Sequence, residues 1–163
     1  MNMRYYDTYD SPHGRMLLVA TERGVSGVYF AGQKYFPKDR KAWQRDPDRP
    51  ALMQAKRELA EYFSGRRKRF DVALDPQGTD FQCKVWKAIL KVNFGKTATY
   101  GELAKRAGHP GSARAAGAAT GRNPISIMVP CHRIMGSDGS LTGYAGGLNR
   151  KRALLALEDA LAG

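Results

Sequence analysis

Residues 100–134 read YGELAKRAGHPGSARAAGAATGRNPISIMVPCHRI, and most of the fold can be argued outward from them. Tyr100 to Ala107 predicts a short helix, and Gly108-His109-Pro110-Gly111 a tight turn. Ser112 stands where a second helix would be capped, and that helix runs to about Gly121. Helix, glycine-containing turn, helix is the helix-turn-helix pattern, although many helical pairs that bind nothing share it. The second helix is nearly bare: Ala113, Ala115, Ala116, Gly117, Ala118, Ala119 and Gly121 surround the long side chain of Arg114. Small residues allow close approach, either to the protein interior or to a nucleic-acid groove. Base-reading helices carry several polar side chains. This one would bind by shape and backbone with little sequence preference. An apolar, strand-like run then ends with Cys131 between Pro130 and His132. A buried thiol beside an imidazole can be held as thiolate, the reactive form, so Cys131 reads as a nucleophile.

Upstream, Thr79 or Asp80 would cap a helix with Phe81, Val85, Trp86, Ile89 and Leu90 on one face. Residues 3–30 read as strands, with Glu22-Arg23-Gly24 as a hairpin turn. Residues 31–50 are polar and predict a long surface connection. A helix follows from Ala51 to Ser64, stopped by Gly65, and Phe70 to Leu74 predicts one more strand. Asp75-Pro76-Gln77-Gly78-Thr79 is the expected boundary, dividing the chain into an α/β lobe of residues 1–76 and a mostly helical lobe of residues 77–163. Downstream, glycines in Gly139–Gly147 permit a tight loop in which Tyr144 can cover a planar ligand. In the last helix, Glu158 shares the apolar stripe of Leu154 and Leu157. A carboxylate there is costly unless paired. Pairing with His132 would give Cys131, His132 and Glu158 a nucleophile, base and orienter arrangement. Adjacent residues of an extended chain point apart, so a water would link His132 to Cys131.

The net charge of +12 on 163 residues favours polyanionic partners. The 42% hydrophobic content suffices for a core, but no apolar run nears the ~20 residues of a membrane span. With no signal-peptide pattern, the expected location is cytoplasmic. Two cysteines make no disulfide framework. His13, Cys83, His109, Cys131 and His132 lack metal-ligand spacing, so neither a metal nor a cofactor is expected. No heptad run suggests a dimer, and a monomer is the default.

From Phe81 to Glu158 the sequence resembles the O6-alkylguanine-DNA alkyltransferases. The resemblance rests on Thr99–Ala104, Ala113–Gly117, Arg122-Asn123-Pro124, Val129–Ile134, Gly143–Gly147 and Leu154–Glu158, in that order. It implies a ribonuclease H-like α/β lobe followed by a helical lobe with a helix-turn-helix, winged-helix-like DNA-binding unit. It implies double-stranded DNA containing alkylated guanine as partner, entered from the minor groove. Cys131 would take the alkyl group once and irreversibly, from O6-alkylguanine or O4-alkylthymine. His132 would accept the thiol proton, Glu158 would orient the imidazole, and Tyr100 would protonate the departing guanine. Arg114 would fill the gap left by the flipped base. Ala113, Ala115, Gly117, Ala118, Arg122 and the hinge Asn123 would also meet DNA. Ser126, Val129, Pro130, Met135, Tyr144, Ala145 and Gly146 would form the base pocket. Ala145 stands where some relatives carry serine, so a contact to O6 there must come from its backbone. Three alternatives predict different chemistry. Non-catalytic alkylguanine-binding relatives typically lack the cysteine. A helix-turn-helix regulator would carry a polar second helix. A cysteine hydrolase would turn over without DNA.

Overall fold

The computed structural model describes residues 3–162. Strands β1 (Tyr5–Ser11), β2 (Gly14–Ala20), β3 (Val25–Phe30) and β4 (Gln44–Arg45) form one sheet in the order β3-β2-β1-β4. β1, β2 and β3 pair antiparallel through tight turns, while β4 joins β1 in parallel. β4 lies in the segment expected to be a plain connection. Two residues leave no readable alternation, and backbone pairing alone holds them: Gln44 N–H donates to the Arg4 carbonyl.

Helix α1 (Pro50–Phe63) begins with proline, which loses nothing at a first turn whose N–H has no partner. It lays Leu52, Ala55, Leu59 and Tyr62 on the sheet. The strand expected at Phe70–Leu74 is reduced to a bridge between Leu74 and Val25. Two features explain this. The backbone N–H groups of Asp71 and Val72 donate to Glu58 Oε1 at 2.8 and 3.1 Å. The free edge of β3 is also shared, with Leu74 bridging to Val25 and Ile125 to Val28.

Helix α2 (Asp80–Leu90) starts from a reciprocal capping box between Thr79 and Gln82. It buries Val85, Trp86, Ala88 and Ile89, but Leu90, expected on that face, is exposed on the last turn. Strand β5 (Ala98–Thr99) leads into α3 (Tyr100–Arg106), capped by Thr99 and Glu102 in the same manner. Helix α4 (Ala113–Gly121) follows. Ser112 precedes it, but its hydroxyl caps nothing. Its ψ is 40°, far from the extended values of 165° and 162° that aim Thr79 and Thr99 at their helices.

Helices α3 and α4 pack together, and α2 reaches α4 through Trp86, whose indole N–H donates to the Ala119 carbonyl at 2.9 Å. Beyond the short strand β6 (Ile134–Met135), which pairs with β5, helix α5 (Leu148–Ala162) closes the chain. One core runs from Met16, Leu18 and Phe30 through Ile125 and Val129 to Leu103 and Leu154. Among the described residues no helix is long and apolar enough to cross a membrane.

Candidate active site

The segment after α4 is a knotted turn in place of the expected apolar strand. Ile125 makes one bridge to the sheet edge, Ile127 adopts a left-handed φ of 71°, and Cys131–Arg133 form one turn of 3-10 helix. Alternation fails here because Asn123 organises the backbone. Its Oδ1 accepts from Ile125 N–H at 3.0 Å, and its Nδ2 donates to the Val129 carbonyl at 2.8 Å. The same Nδ2 lies 3.1 Å from Cys131 Sγ, so the residue that shapes the turn also holds the sulfur.

The thiol is 5% exposed. Burial pushes it up to about 11, against the pull of the Asn123 hydrogen bond, the Lys151 charge and the backbone N–H groups of Cys131 and His132. The resting side chain is therefore a neutral thiol, and not the standing thiolate that adjacency to His132 suggests. Burial wins until a base removes the proton.

His132 is fully buried, and burial lowers its proton affinity, so it is a neutral imidazole. Its Nε2 lies 2.6 Å from Glu158 Oε2. A carboxylate accepts, so the proton sits on Nε2 and Nδ1 carries the free lone pair. Nδ1 has no hydrogen-bond partner among the described residues. The imidazole is thus oriented and able to accept a proton. Cys131–Arg133 form a 3-10 turn in place of the expected extended chain, and the sulfur accepts its side-chain hydrogen bond from Asn123.

Glu158 is itself held by more than His132. Arg133 Nε donates to Oε1 at 2.8 Å and Nη2 to Oε2 at 3.0 Å, and the Tyr62 hydroxyl donates to Oε2 at 2.5 Å. Burial would raise the carboxyl, but the hydrogen bonds and charges of His132 and Arg133 hold it at about 2.

Lys151 on α5 is fully buried, and its Nζ donates to the carbonyls of Ile134 at 2.5 Å and Thr142 at 2.8 Å. Burial lowers it to about 8, with the opposing pull that of Cys131 in its ionised form. The Tyr100 hydroxyl donates to the same Thr142 carbonyl at 3.2 Å, tying α3 to the glycine loop.

A cleft of about 870 Å³ lies alongside. One wall is the small face of α4 with Tyr100: Ala115, Gly117, Ala118, Gly121 and Arg122. A Cβ at Gly117 would stand 3.6 Å from the Tyr100 ring, an ordinary contact distance, so the ring lies against this small face of the helix. The other wall is Gly143, Tyr144, Ala145 and Gly147. Gly146 is buried behind it, where a Cβ would meet the Tyr144 ring at 2.7 Å. Tyr100 and Tyr144 both lie near enough to Cys131 that a thiolate there would raise their proton affinity. Arg114 is exposed at the start of α4 and Ala113 is half-buried, both outside the lining. Ser126 and Val129 are buried in the turn.

Two expected pocket residues face elsewhere. Pairing of β6 with β5 sets Met135 among Thr97, Leu155 and Glu158, and Pro130 faces a hollow with Phe94 and Arg133. Sequence reasoning missed Tyr62 and Lys151. Tyr62 carries no local signal, since it meets Glu158 across 96 residues. Lys151 had one: it precedes Leu154 by three and Glu158 by seven residues, on the same apolar stripe. Among the described residues no group of three His, Cys, Asp or Glu side chains could hold a metal.

The chain matches two family models. Residues 4–76 match the 6-O-methylguanine DNA methyltransferase, ribonuclease-like domain, and residues 80–160 match the DNA binding domain of the same family. It is 49% identical over 160 residues to the methylated-DNA–protein-cysteine methyltransferase of Mycobacterium tuberculosis, covering 98% of this chain and 95% of the relative. The enzyme of that name from Methanosarcina acetivorans is 46% identical over 94% of this chain and 97% of its own length. Among solved structures, M. tuberculosis O6-methylguanine methyltransferase superposes with a TM-score of 0.89 at 48% identity, covering 99% of this chain and 96% of that one. The M. tuberculosis protein in complex with DNA superposes at 0.88 and 47% identity, covering 96% and 94%. A buried cysteine held by the asparagine that follows a small-residue helix thus coincides with full-length likeness in sequence and fold, and the chain belongs to the 6-O-methylguanine DNA methyltransferase family.

Proposed function

We propose that this protein repairs DNA by moving the alkyl group of O6-alkylguanine onto Cys131, once per molecule. One observation carries the assignment of residues. The Cys131 sulfur is buried and held by Asn123, next in sequence to an imidazole that Glu158 orients with one nitrogen free to accept a proton.

In the reaction His132 takes the thiol proton, and Glu158 stabilises the imidazolium that forms. Sγ attacks the alkyl carbon. The C–O6 bond breaks, and its electron pair stays on the guanine. The Tyr100 hydroxyl supplies the proton that neutralises the guanine, and the imidazolium's proton restores the tyrosine. In sum, S–H and C–O are exchanged for S–C and N–H. A thioether is a poor leaving group, which makes the event final.

The base must leave the stack to reach a sulfur this deep. Arg114, exposed at the start of α4, fills the gap it leaves. Ala113, Ala115, Gly117, Ala118 and Arg122 meet the duplex from the minor groove, where a bare helix needs little room. Tyr144, Ala145, Gly146, Ser126 and Val129 enclose the flipped base. The active lobe comprises residues 77–163, and residues 1–76 form the supporting lobe. The protein works as a monomer in the cytoplasm.

The test is incubation with a short duplex containing one O6-methylguanine, followed by intact and peptide mass spectra. One methyl group on the Cys131 peptide, saturating at one per protein and absent in Cys131→Ala, is expected. Tight retention of the duplex without mass gain would mean an alkylguanine-binding protein with an idle cysteine.

A further inference from the structure

The third wall of the cleft comes from the first half of the chain, to which the proposed reaction gives no role. Lys34 and Tyr35 follow β3 and line the same cleft as Tyr100, Ala118 and Arg122. Three facts set this segment apart from an ordinary surface turn.

First, it is firmly built. The buried Gln33 accepts from Phe30 N–H through Oε1 at 2.7 Å and donates through Nε2 to the Lys34 carbonyl at 3.2 Å. Lys34 N–H donates to the Ala145 carbonyl at 3.0 Å, next to Tyr144. Second, Tyr35 adopts a left-handed φ of 62°, where a bulky side chain is strained and glycine would not be. Burial does not repay this, because Tyr35 is 45% exposed. Third, the Tyr35 ring carries cations. The Arg122 guanidinium lies 3.8 Å from its centroid and the Lys34 ammonium 5.2 Å. The cleft lining contains these two cations and no carboxylate. A rigid aromatic holding two cations at the rim of a groove is suited to a backbone phosphate.

We propose that Lys34 and Tyr35 are DNA-binding residues: Lys34 and the Tyr35-stacked Arg122 grip phosphates of the duplex at the rim of the cleft, beside the glycine loop. The inference rests on the DNA-repair reading. It adds that the first half of the chain takes part in holding the DNA. Through the Lys34–Ala145 hydrogen bond, a phosphate at the rim is also coupled to the loop that carries Tyr144.

The test uses the full chain and an unmodified duplex, on which no transfer occurs, and measures Kd at a series of salt concentrations. Each lost phosphate contact lowers the slope of log K against log salt by about 0.9, which corresponds to about fivefold weaker binding at 0.15 M salt. Lys34→Gln, which removes only the charge, is expected to lower the slope by that amount. Tyr35→Ala should weaken binding while Tyr35→Phe keeps it, and Tyr35→Ala should add little once Arg122→Gln is present. Thermal melting of each variant identifies any that fail to fold. An unchanged slope in Lys34→Gln, or equal binding by Tyr35→Ala and wild type, overturns the inference. The methyl-gain experiment reports separately on the transfer reading.

Discussion

Exchanging Glu158 for glutamine keeps its size and removes the negative charge that His132 and Arg133 share. The carboxyl accepts from His132, from two Arg133 nitrogens and from Tyr62, at 1% exposure. Its pKa stands at about 2 where 4.5 is ordinary. Each tenfold change in proton affinity is worth about 1.4 kcal/mol, so the charged carboxylate contributes about 3 kcal/mol at neutral pH. The cost of stripping one partner from a buried ion pair, about 3–5 kcal/mol, agrees. The sign follows from a pKa depressed on folding. The contribution is complete above the ordinary value of 4.5 and is lost as pH falls through about 2. Urea unfolding of wild type and Glu158→Gln should therefore differ by about 3 kcal/mol at pH 7 and by about 1.4 kcal/mol at pH 3. The amide also releases the imidazole tautomer, so methyl transfer should slow by about 100-fold or more. A gap below about 1 kcal/mol at pH 7, or one that does not shrink with acid, would refute the account of the cluster as a charge-held unit.

Two further outcomes follow from the same geometry. Asn123→Ala leaves the Ile125 N–H and the Val129 carbonyl without their partner and removes a donor from the sulfur. Unfolding should become easier by about 2–4 kcal/mol, and the pH midpoint for Cys131 alkylation by a small haloacetamide should rise above that of wild type; an unchanged midpoint would show that Asn123 does not tune the thiol. Gly146→Ala places a methyl 2.7 Å from the Tyr144 ring and 3.1 Å from Phe30. It should lower stability by about 1–3 kcal/mol and slow transfer from the duplex, and a neutral melting temperature would mean the loop wall yields freely.

Several elements were legible because their causes are local. Thr79 with Gln82, and Thr99 with Glu102, are capping pairs three residues apart, and each starts a helix where it stands. The alanine run made a bare helix, and its small face lines the cleft beside Tyr100. Glu158 on an apolar stripe demanded a partner, and the fold supplies His132 together with Arg133 and Tyr62. Phe70–Leu74 misled because its β propensity was real but Glu58, on a helix, takes its backbone donors.

By itself, then, the sequence determined the first hairpin, the helices, the cysteine set beside an imidazole and the need to pair Glu158, since each depends on residues within one or two turns of each other. The tertiary structure alone decided the protonation of Cys131, because burial and the placement of Asn123 and Lys151 set it. It also decided that Tyr62 braces Glu158 across 96 residues and that Tyr35 meets Arg122 at the rim of the cleft. Such contacts join segments whose local patterns are independent, and only packing one half of the chain against the other brings them within range.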